Sequence, residues 1–290
     1  RQSAQVKRFG LRICTKVANL EHNIMELNRY FRKDSATYRS QGIVIFDFDD
    51  AKSEDFIEDY IIPFRQSYIS DDDLDYEINN GINIRKDAIE NKLPILPHLK
   101  SGEFGEILMF FLARTFICPD ANITPIKWQW KEHRDAPCHL TDIMLLKCTD
   151  STTPQSTDYV YSIEVKAGAT PINPRSDKSR MNDAIEGAHK DKESRIGKMI
   201  AYLTTKYAKD RNAKMAKLVK RFDDGTTVHF DRHISAAIVV ERDSMPYHIK
   251  NITAASLNQA QTDQMALFAV PLKQLKQTYE RLYDITPIKG

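Results

Sequence analysis

Eight residues, "YSIEVKAG" (Tyr161 to Gly168), set the frame for the whole chain. Tyr161, Ile163 and Val165 alternate with Ser162, Glu164 and Lys166, the period of two that a strand with one buried face produces. Glu164 and Lys166 then share the other face, which the pattern turns toward solvent or substrate. Taken alone, an acid and a base so spaced are most often a surface pair. The neighbouring segments give them a second meaning.

Upstream, "CHLTDIMLLK" (138–147) reads as another strand, and the turn-rich "CTDSTTPQSTD" (148–158) joins the two as an antiparallel hairpin. Asp142 stands at the head of that strand among apolar residues, a costly place for a carboxylate without a partner. The hairpin brings it near Glu164. Two converging carboxylates repel, and a divalent cation such as Mg²⁺ reverses the sign. A metal there activates water for attack on a phosphodiester, and Lys166 orients that water or stabilises the developing charge. Further upstream, "SGEFGEILMFFLARTFI" predicts a helix from a Ser101 cap to about Ile117, stopped by Pro119. Glu103 and Glu106 lie three apart on its first turns, and Glu106, followed by an apolar run, is the better candidate to point inward.

Downstream, a long helix is expected from about Asp177 to Tyr207, with His189, Lys190, Lys192, Arg195 and Lys198 exposed. These side chains are either phosphate contacts or a solvated helix face. "KYAKDRNAKMAKLVKRF" has few apolar residues and reads as a mobile basic arm. "HISAAIVVE" and "MALFAVPL" are strands, and "LKQLKQTYERLY" is a closing helix. Toward the N-terminus, "VKRFGLRICTKV" and "GIVIFDF" read as strands. "NLEHNIMELNRYFRK" reads as a helix capped by Asn19, and "SEDFIEDYIIPFRQSYI" as a helix that Pro63 bends or ends. Residues 70 to 99 read as an irregular connector, and "ITPIKWQW" as a strand whose Trp128 and Trp130 are core residues before they are base-stacking platforms. Strands alternating with helices give a mixed α/β domain over residues 96–290, with an α+β elaboration over 1–95.

At 41% hydrophobic and 28% charged, the chain has the composition of a globular protein. No apolar run approaches the roughly 20 residues of a membrane span, and no signal-peptide pattern is seen, so a cytoplasmic location is expected. Four cysteines without framework spacing read as reduced thiols. His133, Cys138, His139 and Cys148 match no standard zinc pattern. The net charge of +2 conceals two regions: twelve acids against two bases from Asp47 to Glu77, and fifteen bases against six acids from Lys166 to Arg221. The second suits a phosphate backbone and the first repels it.

The order of helix acid, strand acid, E-x-K pair and basic helix resembles the PD-(D/E)XK nuclease superfamily, with its restriction-endonuclease-like fold. More narrowly, "SGEFGEILMFFL", "HLTDIMLL", "YSIEVKAG" and "DAIEGAHKDKESRIGKMIAYL" resemble the HamA family of Hachiman anti-phage systems, over about residues 95 to 210. The superfamily's "PD" is not literal here, because Thr141 precedes Asp142. The resemblance implies a metal-dependent DNA nuclease held by a helicase subunit (HamB-like) that senses aberrant DNA and releases the nuclease. It implies Glu106, Asp142, Glu164 and Lys166 as catalytic residues. Mg²⁺ or Mn²⁺ would sit on Asp142, Glu164 and the Val165 carbonyl, and Lys190, Lys192, Arg195 and Lys198 would lie on DNA. No membrane and no small-molecule cofactor are expected, and residues 1–95 would dock the partner. The alternatives are a stand-alone restriction or repair endonuclease and a non-catalytic adaptor on the same fold.

Overall fold

A computed structural model describes residues 25–136, 140–169, 178–223 and 229–290. Among these residues six strands form one mixed sheet. They are β1 (Phe31–Tyr38), β2 (Ile43–Phe48), β3 (Ile143–Lys147), β4 (Tyr159–Gly168), β5 (Asp231–Glu241) and β6 (Ala266–Leu272). Across the sheet the order is β1-β2-β6-β5-β4-β3. The three inner pairings, β2 with β6, β6 with β5 and β5 with β4, are parallel; β1–β2 and the predicted β3–β4 hairpin are antiparallel.

Helices cover both faces, which is why β5 is buried without alternation from Ile234 to Val240. On one face lie α1 (Ser53–Gln66), α4 (Pro97–Phe116) and α10 (Leu275–Lys289), meeting Ile143, Ile163, Val165, Val239 and Val270. Between α1 and α4 run α2 (Asp71–Asn79) and α3 (Arg85–Glu90). On the other face lie α5 (Arg180–Lys190), α6 (Ile196–Lys209) and α7 (Ala213–Lys220), with the short α8 (Met245–Lys250) and α9 (Ala254–Thr262) beside them. This is the mixed sheet flanked by helices that the resemblance implies. Among the described residues no helix is long and apolar enough to cross a membrane.

Several local expectations give way to tertiary context. Phe31, assigned by spacing to a helix, begins β1, because β1 pairs with β2 and buries Phe31 against Phe48 and Phe56. Residues 1–24, with the "VKRFGLRICTKV" strand, lie outside the described residues. Helix α1 continues three residues past Pro63. The acid-rich "connector" is helical. Ser70 caps α2 by accepting the Asp73 amide at 3.1 Å while its hydroxyl donates to the Asp73 carboxylate at 2.5 Å, and the acids at the first turn complement the helix dipole. "ITPIKWQW" contributes one bridge, Ile123 to Leu146, and then a 3-10 turn, Lys127–Trp130. The basic arm is α7, capped by Asn212 and anchored by buried Leu218, Val219 and Phe222.

The acids of 47–77 are in large part internal counter-charges. Asp47 and Asp50 hold Arg242 at 2.6 Å each, and Asp71 holds the buried Arg65 at 2.5 Å. Asp59 accepts from Tyr30 and Arg29. The described residues before 95 share the sheet and one core with the segments that follow.

Two glycines fix how closely helices approach β4. Gly105 of α4 faces Ala167, where an added Cβ would lie 2.6 Å from the alanine methyl. From the opposite side Gly187 of α5 lies against Glu164, where a Cβ would stand 2.3 Å from Oε1. The Ser162–Glu164 face of β4 is therefore not turned to solvent: Ser162 is fully buried and Glu164 is 3% exposed beneath α5. Small residues on α5 (Ala184, Gly187, Ala188) permit that approach.

Candidate active site

Both oxygens of Glu164 carry a cation. Lys166 Nζ donates to Oε1 at 2.5 Å and Arg195 Nη1 to Oε2 at 3.0 Å. Burial raises the Glu164 pKa, the charge of Asp142 raises it further, and Lys166 pulls it back. Burial opposes the charge on Lys166, but Asp142 and Glu164 outweigh it and its pKa is raised, so Lys166 stands in the site as an ammonium.

Asp142 precedes β3, whose register sets Ile143 opposite Ile163. It reaches across to β4, where the Val165 amide donates to its Oδ2 at 2.9 Å. Its other oxygen faces Lys127 Nζ at 3.5 Å, and the same ammonium lies 3.0 Å from Glu106 Oε2. Lys127 is 7% exposed and also donates to the Thr141 carbonyl. Glu106 comes from α4, a helix buried nearly all round, which carries the acid to the sheet edge. Trp128 packs on Phe110 and donates its indole N–H to Glu106 at 3.2 Å, so it is a core residue with a site contact. Burial first, then Asp142, push the Glu106 pKa to about 7 against the lowering by Lys127. Glu103, the alternative helix acid, instead bonds Lys131 at 2.6 Å.

A fourth carboxylate completes the cluster. Asp191 lies in a π-helical turn, Asp191–Arg195, between α5 and α6. Its side chain is 0% exposed. Oδ1 accepts from Thr141 Oγ1 at 3.4 Å and faces Arg195 at 3.6 Å, while Oδ2 has no hydrogen-bond partner. Burial and the charges of Glu164 and Asp142 push its pKa to about 7. Four acids (Glu106, Asp142, Glu164, Asp191) thus meet three cations (Lys127, Lys166, Arg195), leaving one uncompensated negative charge when all are ionised.

Glu106, Asp142, Glu164 and Lys166 converge as the sequence pattern anticipates. Arg195 is part of the cluster. Lys192 and His189 bind Asp263 of the segment after α9, at 2.6 and 2.7 Å, and Lys190 pairs with Glu186 along α5 at 2.6 Å. Lys198 is exposed on α6. Sequence reasoning missed Lys127, Thr141 and Asp191. Lys127 sits in a 3-10 turn that has no periodicity, and Asp191 is one acid among basic helix residues.

Among the described residues no group of three or more His, Cys, Asp or Glu side chains is arranged to hold a metal. Cys138 and His139 lie outside those residues, and Cys118 and Cys148 are buried free thiols. The donors do fit a hard cation that keeps several waters, which needs only one or two carboxylates. Asp142 and Glu164 are hard oxygen donors placed side by side at the head of the hairpin.

No curated protein matches the chain. The HamA family model matches residues 23–285 of the 290, spanning both outer strands of the sheet and every residue of the cluster. The chain belongs to the HamA family, a component of Hachiman anti-phage defence.

Proposed function

We propose that the chain is a metal-dependent deoxyribonuclease that hydrolyses phosphodiester bonds, acting in the cytoplasm under the control of a helicase subunit. The observation that carries this is the convergence of Asp142, Glu164 and Lys166 at one end of the β3–β4 hairpin, with Glu106 joined to Asp142 through Lys127. Mg²⁺ or Mn²⁺ would be held by Asp142, Glu164 and the Val165 carbonyl, and supplies positive charge to the phosphate and acidity to water. Lys166, held charged, balances the negative charge that builds on the phosphate in the transition state. Lys127 stands between Asp142 and Glu106 and offsets the repulsion between the two acids. Lys190, Lys192 and Lys198 offer sequence-blind contacts to the backbone, and selectivity falls to the partner. Residues 1–95 would offer that partner its docking surface.

The test is incubation of plasmid DNA with Mg²⁺, with and without the helicase, beside Lys166→Ala and Glu164→Gln. The expected result is cleavage that both substitutions abolish while circular dichroism stays unchanged. Cleavage at the wild-type rate in either variant removes the assignment. Full activity without any partner favours a stand-alone endonuclease, and no cleavage under any condition favours the adaptor.

A further inference from the structure

Both carboxylate oxygens of Glu164 already face a cation, so a divalent ion arriving there meets the charges of Lys166 and Arg195 at close range. Lys166 makes its ion pair with Glu164 and reaches no second acid at ion-pair distance among the described residues. Arg195 has an alternative. Its Nη1 lies 3.0 Å from Glu164 Oε2 and only 3.6 Å from Asp191 Oδ1. Asp191 is 0% exposed, and its second oxygen has no partner, so a guanidinium that moved onto it would find a bidentate seat.

The backbone supports the same exchange. The Ile196 amide bonds the Asp191 carbonyl, the five-residue closure of a π-turn. That widened turn sets Asp191 and Arg195 together above Glu164, where Thr141, the neighbour of Asp142, fixes Oδ1. π-turns of this kind gather at functional sites. An aspartate that only supported the fold would not be left fully buried with an empty oxygen beside a shared guanidinium.

We infer that Arg195 is an exchangeable counter-charge and Asp191 its second seat: Arg195 holds Glu164 when no metal is bound and passes to Asp191 as the metal arrives. The pair are positioning residues. They keep a guanidinium beside a buried acid in both states, so Glu164 has a counter-charge before the cation comes. The inference rests on the metal-dependent reading above.

The experiment is calorimetric titration of the full chain with Mn²⁺ alone. Wild type binds. Arg195→Gln removes the competitor and should bind about tenfold more tightly, given the strength of a unit charge at ion-pair distance in a partly buried site. Asp191→Asn removes the second seat, leaves Arg195 on Glu164, and should bind more weakly. In the double variant Asp191→Asn should have no further effect, because no guanidinium remains to move. Arg195→Lys, which keeps the charge, should restore affinity toward wild type. If Asp191→Asn weakens binding equally in both backgrounds, Asp191 ligates the metal itself and the exchange is overturned. Unchanged affinity in Asp191→Asn overturns it as well, and that variant is nearly isosteric should Arg195→Gln fail to fold. A wild-type chain that binds no Mn²⁺ defeats the metal-dependent reading first, whereas a binding wild type with unresponsive variants defeats only the exchange.

Discussion

Gly187→Ala separates the cost of a crowded helix from the cost of a displaced carboxylate. The added methyl would stand 2.3 Å from Glu164 Oε1, 2.5 Å from Cδ and 2.6 Å from Cγ, where ordinary contact begins at 3.4 Å. Something must yield by about 1 Å. The helix cannot retreat without unpacking Met181, Ala184, Ile185 and Ala188, so Glu164 moves and loosens its bonds to Lys166 and Arg195. Overpacking costs about 1–3 kcal/mol. Alanine in place of glycine in a helix returns about 1 kcal/mol. The net loss is therefore about 0–2 kcal/mol, a few degrees of Tm in a chain of this size. The chemistry should suffer far more, since a shift of about 1 Å in a catalytic group costs about a hundredfold in rate. Gly197→Ala is the control: nothing lies within 4 Å of its added Cβ on the exposed face of α6, so it should gain up to about 1 kcal/mol and leave cleavage unchanged. The assays are thermal denaturation and Mg²⁺-dependent plasmid nicking. Gly187→Ala with wild-type cleavage and wild-type Mn²⁺ affinity would refute the claim that this close approach positions Glu164.

Other outcomes follow from the same cluster. Lys127→Met leaves Glu106 and Asp142 facing each other without their buried cation and should destabilise the metal-free protein by about 3–5 kcal/mol in urea denaturation at pH 8; a loss below about 1 kcal/mol would show that Lys127 is not their counter-charge. Glu106 and Asp191, with pKa near 7 in the fold against 4.5 and 3.8 ordinarily, give stability that is present below about pH 4 and lost as pH rises through 7. Asp191→Asn should therefore stabilise the metal-free protein relative to wild type at pH 8 and not at pH 4, read as the difference in Tm in EDTA; equal differences at both pH values would contradict it. Asp71→Asn should lower Tm, because Arg65, 2% exposed, loses its carboxylate, so this substitution reports on the fold before it reports on any docking surface.

What was legible in the sequence was local. The β3–β4 hairpin, the acid at its head, the E-x-K pair and the helix bearing Glu106 each announce themselves within a dozen residues, through alternation, turn composition and helical spacing. The meeting of Asp142 with Glu164 and Lys166 follows from the hairpin alone, whereas Glu106 arrives by the packing of α4 on β4. Lys127 and Asp191 announce nothing locally, because what makes them members of the cluster is the approach of a 3-10 turn and a π-turn from elsewhere in the chain. The same limit explains the misassigned face of Glu164. Period two in "YSIEVKAG" distinguishes two faces of a strand, but the sheet is covered on both sides, and only the small residues at Ala184, Gly187 and Ala188 hint that a helix lies close above the acid. Phe31 shows the reverse case, in which local helical spacing is overruled by pairing with β2.

The strand order also governs when this molecule can exist. β6 lies between β2 and β5, yet it is the last strand made, more than two hundred residues after β2 ends at Phe48. At about 5–20 residues per second the β1–β2 hairpin waits on the order of 10–40 s for its parallel neighbour. β2 keeps an open edge throughout that interval, and β5 keeps one only from Glu241 until β6 is made. An interrupted message or an early proteolytic cut then yields a fragment in which nothing joins β2 to β5, so the sheet stays in two pieces.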